Sequence, residues 1–162
     1  MLKRFAFLLF ALTMFVGCTR DDICEEGTAT TPLLVITFND IVNPTQRKAV
    51  PNLTVETREI NSTEVITSET TDSIAIPLRN AALETSYRFK KGVGTAAPNT
   101  DVLTLTYTTE DLYVNRACAF KTIYRDLNAL VQNEGSANWI LQLVVETNDI
   151  VDETETHITI LH

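Results

Sequence analysis

The chain has 162 residues, 44% of them hydrophobic, and a formal net charge of -8 from 21 acidic and 13 basic side chains. That length suits one domain with a short appendage, and the acid excess argues against a nucleic-acid binder, which must release counterions from phosphates. Five glycines and five prolines argue against a collagenous or low-complexity chain, while 25 threonines, 13 valines and 12 isoleucines are a β-branched load that favours strands.

At the N-terminus, Lys3 and Arg4 precede a near-continuous apolar run of 12 residues, 5–16. A helix that crosses a bilayer needs about 20 such residues, whereas the apolar core of a secretory leader is roughly 7–15 long. Residues 1–17 are therefore predicted to be a signal peptide. The run closes on Phe15-Val16-Gly17-Cys18, which resembles the lipobox of bacterial lipoproteins, although that pattern prefers an aliphatic residue where Phe15 stands. The resemblance implies that Cys18 becomes the acylated first residue. Stable anchoring takes about two lipid signals, so three acyl chains on one residue would hold the protein firmly. The alternative is an ordinary secretory leader with Cys18 left as a thiol.

Thr19 is not the aspartate that favours inner-membrane retention, and Arg20-Asp21-Asp22 is similar to the export signal of some Bacteroidota surface lipoproteins. The expected address is the outer membrane, with the domain on the cell surface or on the periplasmic face. Without the leader's two positive charges, residues 18–162 carry -10. Residues 18–31 are polar and read as the lipidated N-terminus and tether, with residues 32–162 as a single domain.

Assigning Cys18 to lipid leaves Cys24 and Cys118, an even pair for an oxidising compartment with one intramolecular solution. Because Cys118 stands in a strand-like segment, their bridge is expected to pin the start of the domain to its core. The alternative is two thiols, with Cys118 simply buried.

After the tether, strand follows strand. Residues 32–38 are apolar on both faces and are expected at the centre of a sheet. A loop is expected over 39–51, then a hairpin in which Leu53 and Val55 alternate with Thr54 and Glu56 and strand character returns at Val65 and Thr67. Ile74, Ile76 and Leu78 share a face, as do Tyr87 and Phe89 opposite Arg88 and Lys90. Residues 91–100 form the longest loop, followed by an alternating strand with Leu103, Leu105 and Tyr107 inside. Residues 120–131 are ambiguous: Phe120, Tyr124, Leu127 and Leu130 also fit a helical stripe. A strand to about Arg125 followed by a turn or two of helix is predicted. A loop over 132–138 leads to a strand over 139–146 with Trp139, Leu141, Leu143 and Val145 facing in, and a turn over 148–153 leads to a last strand over 156–161. Seven to nine short strands without long helices predict an all-β fold. The expected form is a two-layer antiparallel sandwich of immunoglobulin-like type, with a small β-barrel as the alternative.

Catalytic chemistry is sparse. The two histidines are His157, in the terminal strand, and His162, the last residue, expected to be inert. No nucleophile elbow, His-Glu-x-x-His, phosphate-cradling glycine loop or Cys-x-x-Cys occurs, so no catalytic residue, metal or cofactor is expected. Asp149, Asp152 and Glu153 offer the oxygen donors calcium prefers, without EF-hand spacing, and a solvated turn accounts for them equally. Tyr113, Tyr124 and Trp139 are candidates for a sugar platform, Tyr113 being the expected exposed ring and Trp139 expected in the core. Asp72-Ser73-Ile74 matches the Asp-Ser/Thr-aliphatic signature of Bacteroidota protein O-glycosylation, which would put glycan on an outward Ser73.

Asp21-Asp22-Ile23-Cys24, Phe38 with Asn43-Pro44-Thr45, Asp72-Ser73-Ile74 with Pro77-Leu78, Asn115-Arg116-Ala117-Cys118 and Glu155-Thr156-His157-Ile158 together resemble a family of uncharacterised lipoproteins of the Bacteroidota, of flavobacterial type. The resemblance implies a lipid anchor, the two-cysteine pattern and a β-rich domain, with no activity assigned. The expected function is a non-enzymatic binding or scaffold module, attached to the membrane by lipid and contacting a protein or glycan partner. A small envelope hydrolase or glycan-processing enzyme using His157 is the alternative.

Overall fold

Nine strands carry the fold in the computed structural model, which describes residues 23–162. They are β1 (Leu34–Asn39), β2 (Val50–Thr57), β3 (Glu64–Thr71), β4 (Ser73–Ile76), β5 (Glu84–Lys91), β6 (Asn99–Asn115), β7 (Ala119–Val131), β8 (Gln142–Val145) and β9 (Ile158–Leu161). A short 3-10 turn, Gly135–Ala137, lies between β7 and β8. Cys18 and Arg20-Asp21-Asp22 lie outside the described residues. The strands form two packed sheets, β4-β1-β9-β8 and β3-β2-β5-β6-β7. The architecture is the all-β sandwich expected, not closed into a barrel.

The chain divides into two compact units. The larger, residues 30–112 and 121–162, holds the sandwich core. The smaller, among the described residues, comprises 23–29 and 113–120.

Within the sandwich, the apolar run of β1 becomes a central strand with Leu34, Ile36 and Phe38 fully buried. Its partner β9 runs parallel to it, Ile36 opposite Ile158 and Phe38 opposite Ile160, a departure from the all-antiparallel expectation. A parallel neighbour needs a long crossover, and the whole chain between β1 and β9 supplies it. The opposite face of this sheet carries a polar chain: the Thr37 and Thr159 hydroxyls are 3.3 Å apart, and Thr159 donates to Glu146 Oε1 at 2.7 Å.

In the second sheet, Leu53, Thr54, Val55 and Glu56 are all buried, where alternation would expose the polar pair. The register of β2 against β3 shifts repeatedly, and the Thr54 hydroxyl accepts the Ser68 N–H (3.0 Å) where the backbone turns left-handed at Ser68, φ 43°. Glu56 lies between Arg88 Nε (2.6 Å) and Lys90 Nζ (2.9 Å), and these cations hold its carboxyl below the usual range.

The predicted helix after Arg125 is absent, because β7 continues to Val131. Asp126 adopts a left-handed conformation, φ 55°, which a short polar side chain tolerates. Thr122, Ile123 and Tyr124 are all buried before it, but of these only Tyr124 joins the core cluster, and after it Leu127 does, with Ala129 and Val131 partly buried against the cluster. One extra residue, in the manner of a β-bulge, thus sets Tyr124 and Leu127 three apart on one face and imitates a helical stripe. The stripe's ends, Phe120 and Leu130, are 64% and 67% exposed.

The strand predicted over 139–146 also starts late, at Gln142, and Leu141 faces out while Ile140 is buried. The buried Asp101 carboxylate accepts the Ile140 N–H at 2.8 Å and keeps it out of the ladder, which the chain joins at Leu141, whose N–H donates to the Leu161 carbonyl at 2.9 Å.

Candidate functional site

The side chains singled out from the sequence fall in separate places, and most have structural employment. Tyr124 is fully buried and cannot serve a sugar platform. Its hydroxyl donates to the Leu78 carbonyl at 3.1 Å. Tyr107, stacked edge-on against it with centroids 5.0 Å apart, donates to the Arg79 carbonyl at 2.8 Å, and Tyr87 donates to the Pro77 carbonyl. Three tyrosines from β5, β6 and β7 thus cap three successive carbonyls of the segment between β4 and β5. A buried tyrosine needs such a partner, and irregular backbone needs such donors. Burial pushes Tyr87 and Tyr124 up to about 12, so both remain protonated donors.

Trp139 is buried as expected, its indole N–H on the Phe89 carbonyl at 3.1 Å. Tyr113 is exposed, also as expected, with Phe120 edge-on at 5.4 Å.

His157 is 1% exposed. Its Nδ1 accepts the Val35 N–H at 3.0 Å, while its own backbone N–H donates to the Val35 carbonyl at 3.0 Å, so it extends the β1–β9 pairing by one residue. His162 is buried too, with Nε2 3.1 Å from the Lys48 carbonyl and Nδ1 3.3 Å from Lys91 Nζ, in edge contact with Phe38 and Trp139. Lys91 Nζ stands 5.3 Å from the centroid of the Trp139 ring. The Lys48 ammonium donates to the His162 backbone oxygen (2.8 Å) and pairs with Asp40 (3.0 Å).

Both imidazoles are held below the ordinary 6.5, in each case first by burial. The acids Glu155, Asp152 and Glu153 pull His157 partly back, whereas at His162 the hydrogen bond to the Lys48 carbonyl and the Asp40 charge pull up against the Lys91 and Lys48 ammoniums, which push further down. The unfolded chain therefore binds these protons at a higher pH than the folded one. Stability is fully present above about 6.5 and is lost as pH falls through and below that value. The depressed carboxyl of Glu56 adds a second loss, of the same sign, below its ordinary 4.5. Urea unfolding is expected to give a lower midpoint at about pH 5.5 than at about pH 7.5. His157→Asn, which keeps an acceptor for Val35, should shrink that difference.

The acids proposed as oxygen donors go three separate ways. Asp149 pairs with Arg125 at 2.7 Å, Asp152 accepts the Thr154 N–H at 2.9 Å, and Glu153 accepts the Leu33 N–H at 2.9 Å. Among the described residues no three His, Cys, Asp or Glu side chains gather into a metal cage. Ser73 is exposed at the start of the edge strand β4.

The cysteines pair as Cys24–Cys118, Cα atoms 4.8 Å apart, within the usual range. Cys118 lies in the turn between β6 and β7 and not in an apolar strand. The turn is closed by Asn115 Oδ1, which accepts the Cys118 N–H at 2.8 Å. The bridge therefore fastens the tether to a hairpin turn, which corrects the expectation that it reaches the core.

Two open surfaces were not anticipated. A cleft of about 300 Å³ is lined by Arg58, Glu59, Arg79, Glu84, Thr85 and Ser86 among others, with an Arg79–Glu59 ion pair at 3.2 Å. A shallower apolar groove of about 230 Å³ includes Leu130, Val131, Ile140 and Leu141. Neither could be read from the sequence, since each joins strands distant along the chain.

Residues 52–162 match the family model described as a family of unknown function, DUF6452. The match takes in β3 to β9, Cys118 and both histidines, and leaves Cys18, Cys24 and β1 outside it. No curated protein and no solved structure matches the chain. With its sandwich matched from within β2 to the last strand, the chain belongs to DUF6452, a family of unknown function.

Proposed function

We propose that this member of the family is a lipid-anchored, non-enzymatic β-sandwich of the outer membrane that acts as a binding or scaffold module for a protein or glycan partner. The observation that carries the reading is the Cys24–Cys118 bridge. It employs two of the three cysteines in the manner of an exported chain, and the third, Cys18, closes the apolar run of the leader. On this reading residues 1–17 are removed, Cys18 is acylated, residues 18–31 are the tether and Ser73 accepts glycan. The resemblance to lipoproteins of the Bacteroidota implies the same anchor, two-cysteine pattern and β-rich domain.

Binding is favoured over hydrolysis by the place of His157, whose Nδ1 is committed to a backbone N–H and whose ring is shut from solvent. A general base must reach its substrate's proton. The cleft beside Arg58 and Arg79, rich in hydroxyls and charges, suits a polar partner such as a glycan.

Protease shaving of intact cells, with a periplasmic protein as control, tests the placement. Loss of this protein while the control survives is expected for a surface-facing domain. Survival until the outer membrane is breached assigns the domain to the periplasmic face. Recovery of the protein in the soluble periplasmic fraction would contradict the anchor, and Cys18→Ala is expected to reproduce that release.

A further inference from the structure

Eight large hydrophobic side chains are exposed among the described residues, and three of them, Ile23 (75%), Tyr113 (63%) and Phe120 (64%), fall in the smaller unit of residues 23–29 and 113–120. Surface apolar residues scattered singly need no explanation, but a concentration of this kind does. The Tyr113 and Phe120 rings meet edge-on at 5.4 Å, and Ile23 is the neighbour of Cys24, which is bonded to Cys118 of the same unit. Arg116 stands exposed in the turn between the two rings. Aromatic rings with a basic side chain close by are the composition of the bilayer interface, where the ring sits at headgroup depth and the cation reaches phosphate.

The bridge also limits where this unit can be. Cys18 and Cys24 are six residues apart, and six extended residues span at most roughly 20–22 Å. Because Cys24 is bonded to Cys118, the turn carrying the rings is within that reach of any lipid on Cys18. We propose that this unit is a membrane-contact surface in which Tyr113, Phe120 and Ile23 enter the headgroup layer beside the anchor. The proposal rests on the lipid anchor put forward above. Glu25 and Glu26 belong to the same unit and are exposed, so the surface fits zwitterionic lipid and not an anionic one.

The test uses the full chain extracted from its membrane, with the acyl groups on Cys18 checked by mass, and reconstituted in phosphatidylcholine vesicles. Phe120→Trp and Tyr113→Trp each place an indole on the exposed unit. Trp139, the chain's one natural tryptophan, is buried and gives the background in the unsubstituted protein. Phospholipids brominated near the headgroup end of the acyl chain are expected to reduce the added emission about twofold, the depth of an interfacial side chain. Emission reduced no more than the Trp139 background in either variant would overturn the proposal, because a protein-docking surface would leave the indoles out of reach of bromine. An acylated chain with unquenched indoles sinks this inference alone. A chain without acyl groups sinks the anchor reading and this one with it.

Discussion

Tyr124→Ala is expected to destabilise the sandwich by about 3–5 kcal/mol, the usual cost of emptying a buried aromatic site. The side chain is fully buried, contacts Tyr107 edge-on and donates to the Leu78 carbonyl. Truncation also strands that carbonyl, which costs about 1–3 kcal/mol unless water reaches it. Against a total of about 5–15 kcal/mol for a domain, that is a large share of the stability, and the variant should unfold at a much lower urea concentration. Tyr124→Phe separates the two contributions, since it keeps the ring and removes the donor, and a loss of about 1–2 kcal/mol is expected. Urea unfolding checks both. If Tyr124→Phe costs nothing, the three-tyrosine capping of residues 77–79 does not hold the segment in place.

The second large effect concerns the bridge. Its two cysteines are 94 residues apart in sequence, and the chain-entropy rule gives about 4–5 kcal/mol for closing so long a loop in the unfolded chain. Less than this should be measured. In the folded chain without the bridge the strands still stand, and only the stretch from Cys24 to β1, which begins at Leu34, regains freedom. The difference between closing a loop of about 95 residues and one of about 10 is roughly 2 kcal/mol. Cys24→Ala with Cys118→Ala is therefore expected to lower stability by about 2 kcal/mol and to raise the urea m-value, because the unfolded chain expands. An unchanged midpoint and m-value would mean that the two cysteines do not constrain the chain.

Much of the fold was legible in the residues. The central position of β1, the faces of β4 and β5 and the inward side of β6 all follow from period-2 patterns that each strand carries locally. What failed did so for identifiable reasons. A bulge at Asp126 changed the phase of β7 and produced a false helical period. The buried Asp101 carboxylate held Ile140 off the ladder and turned Leu141 outward. Tyr124 looked like a ligand platform because its partner, the Leu78 carbonyl, belongs to a segment 46 residues away. The presence of several tyrosines in inward phase was the available signal, since each would need an acceptor. The exposed pair Tyr113 and Phe120 was half visible, as Tyr113 was expected outside while Phe120 was assigned to the stripe. His157 and His162 gave no sign of how fully the backbone employs them.

On the function proposed, the protein hangs from Cys18 while Cys24 and Cys118 are joined. The intact mass of the chain extracted from membranes in detergent tests both parts at once. The expected result is a chain that starts at Cys18, carries three acyl groups and is two hydrogens lighter than the dithiol form. A chain that starts at another residue, or one whose Cys18 still reacts as a thiol, would contradict it.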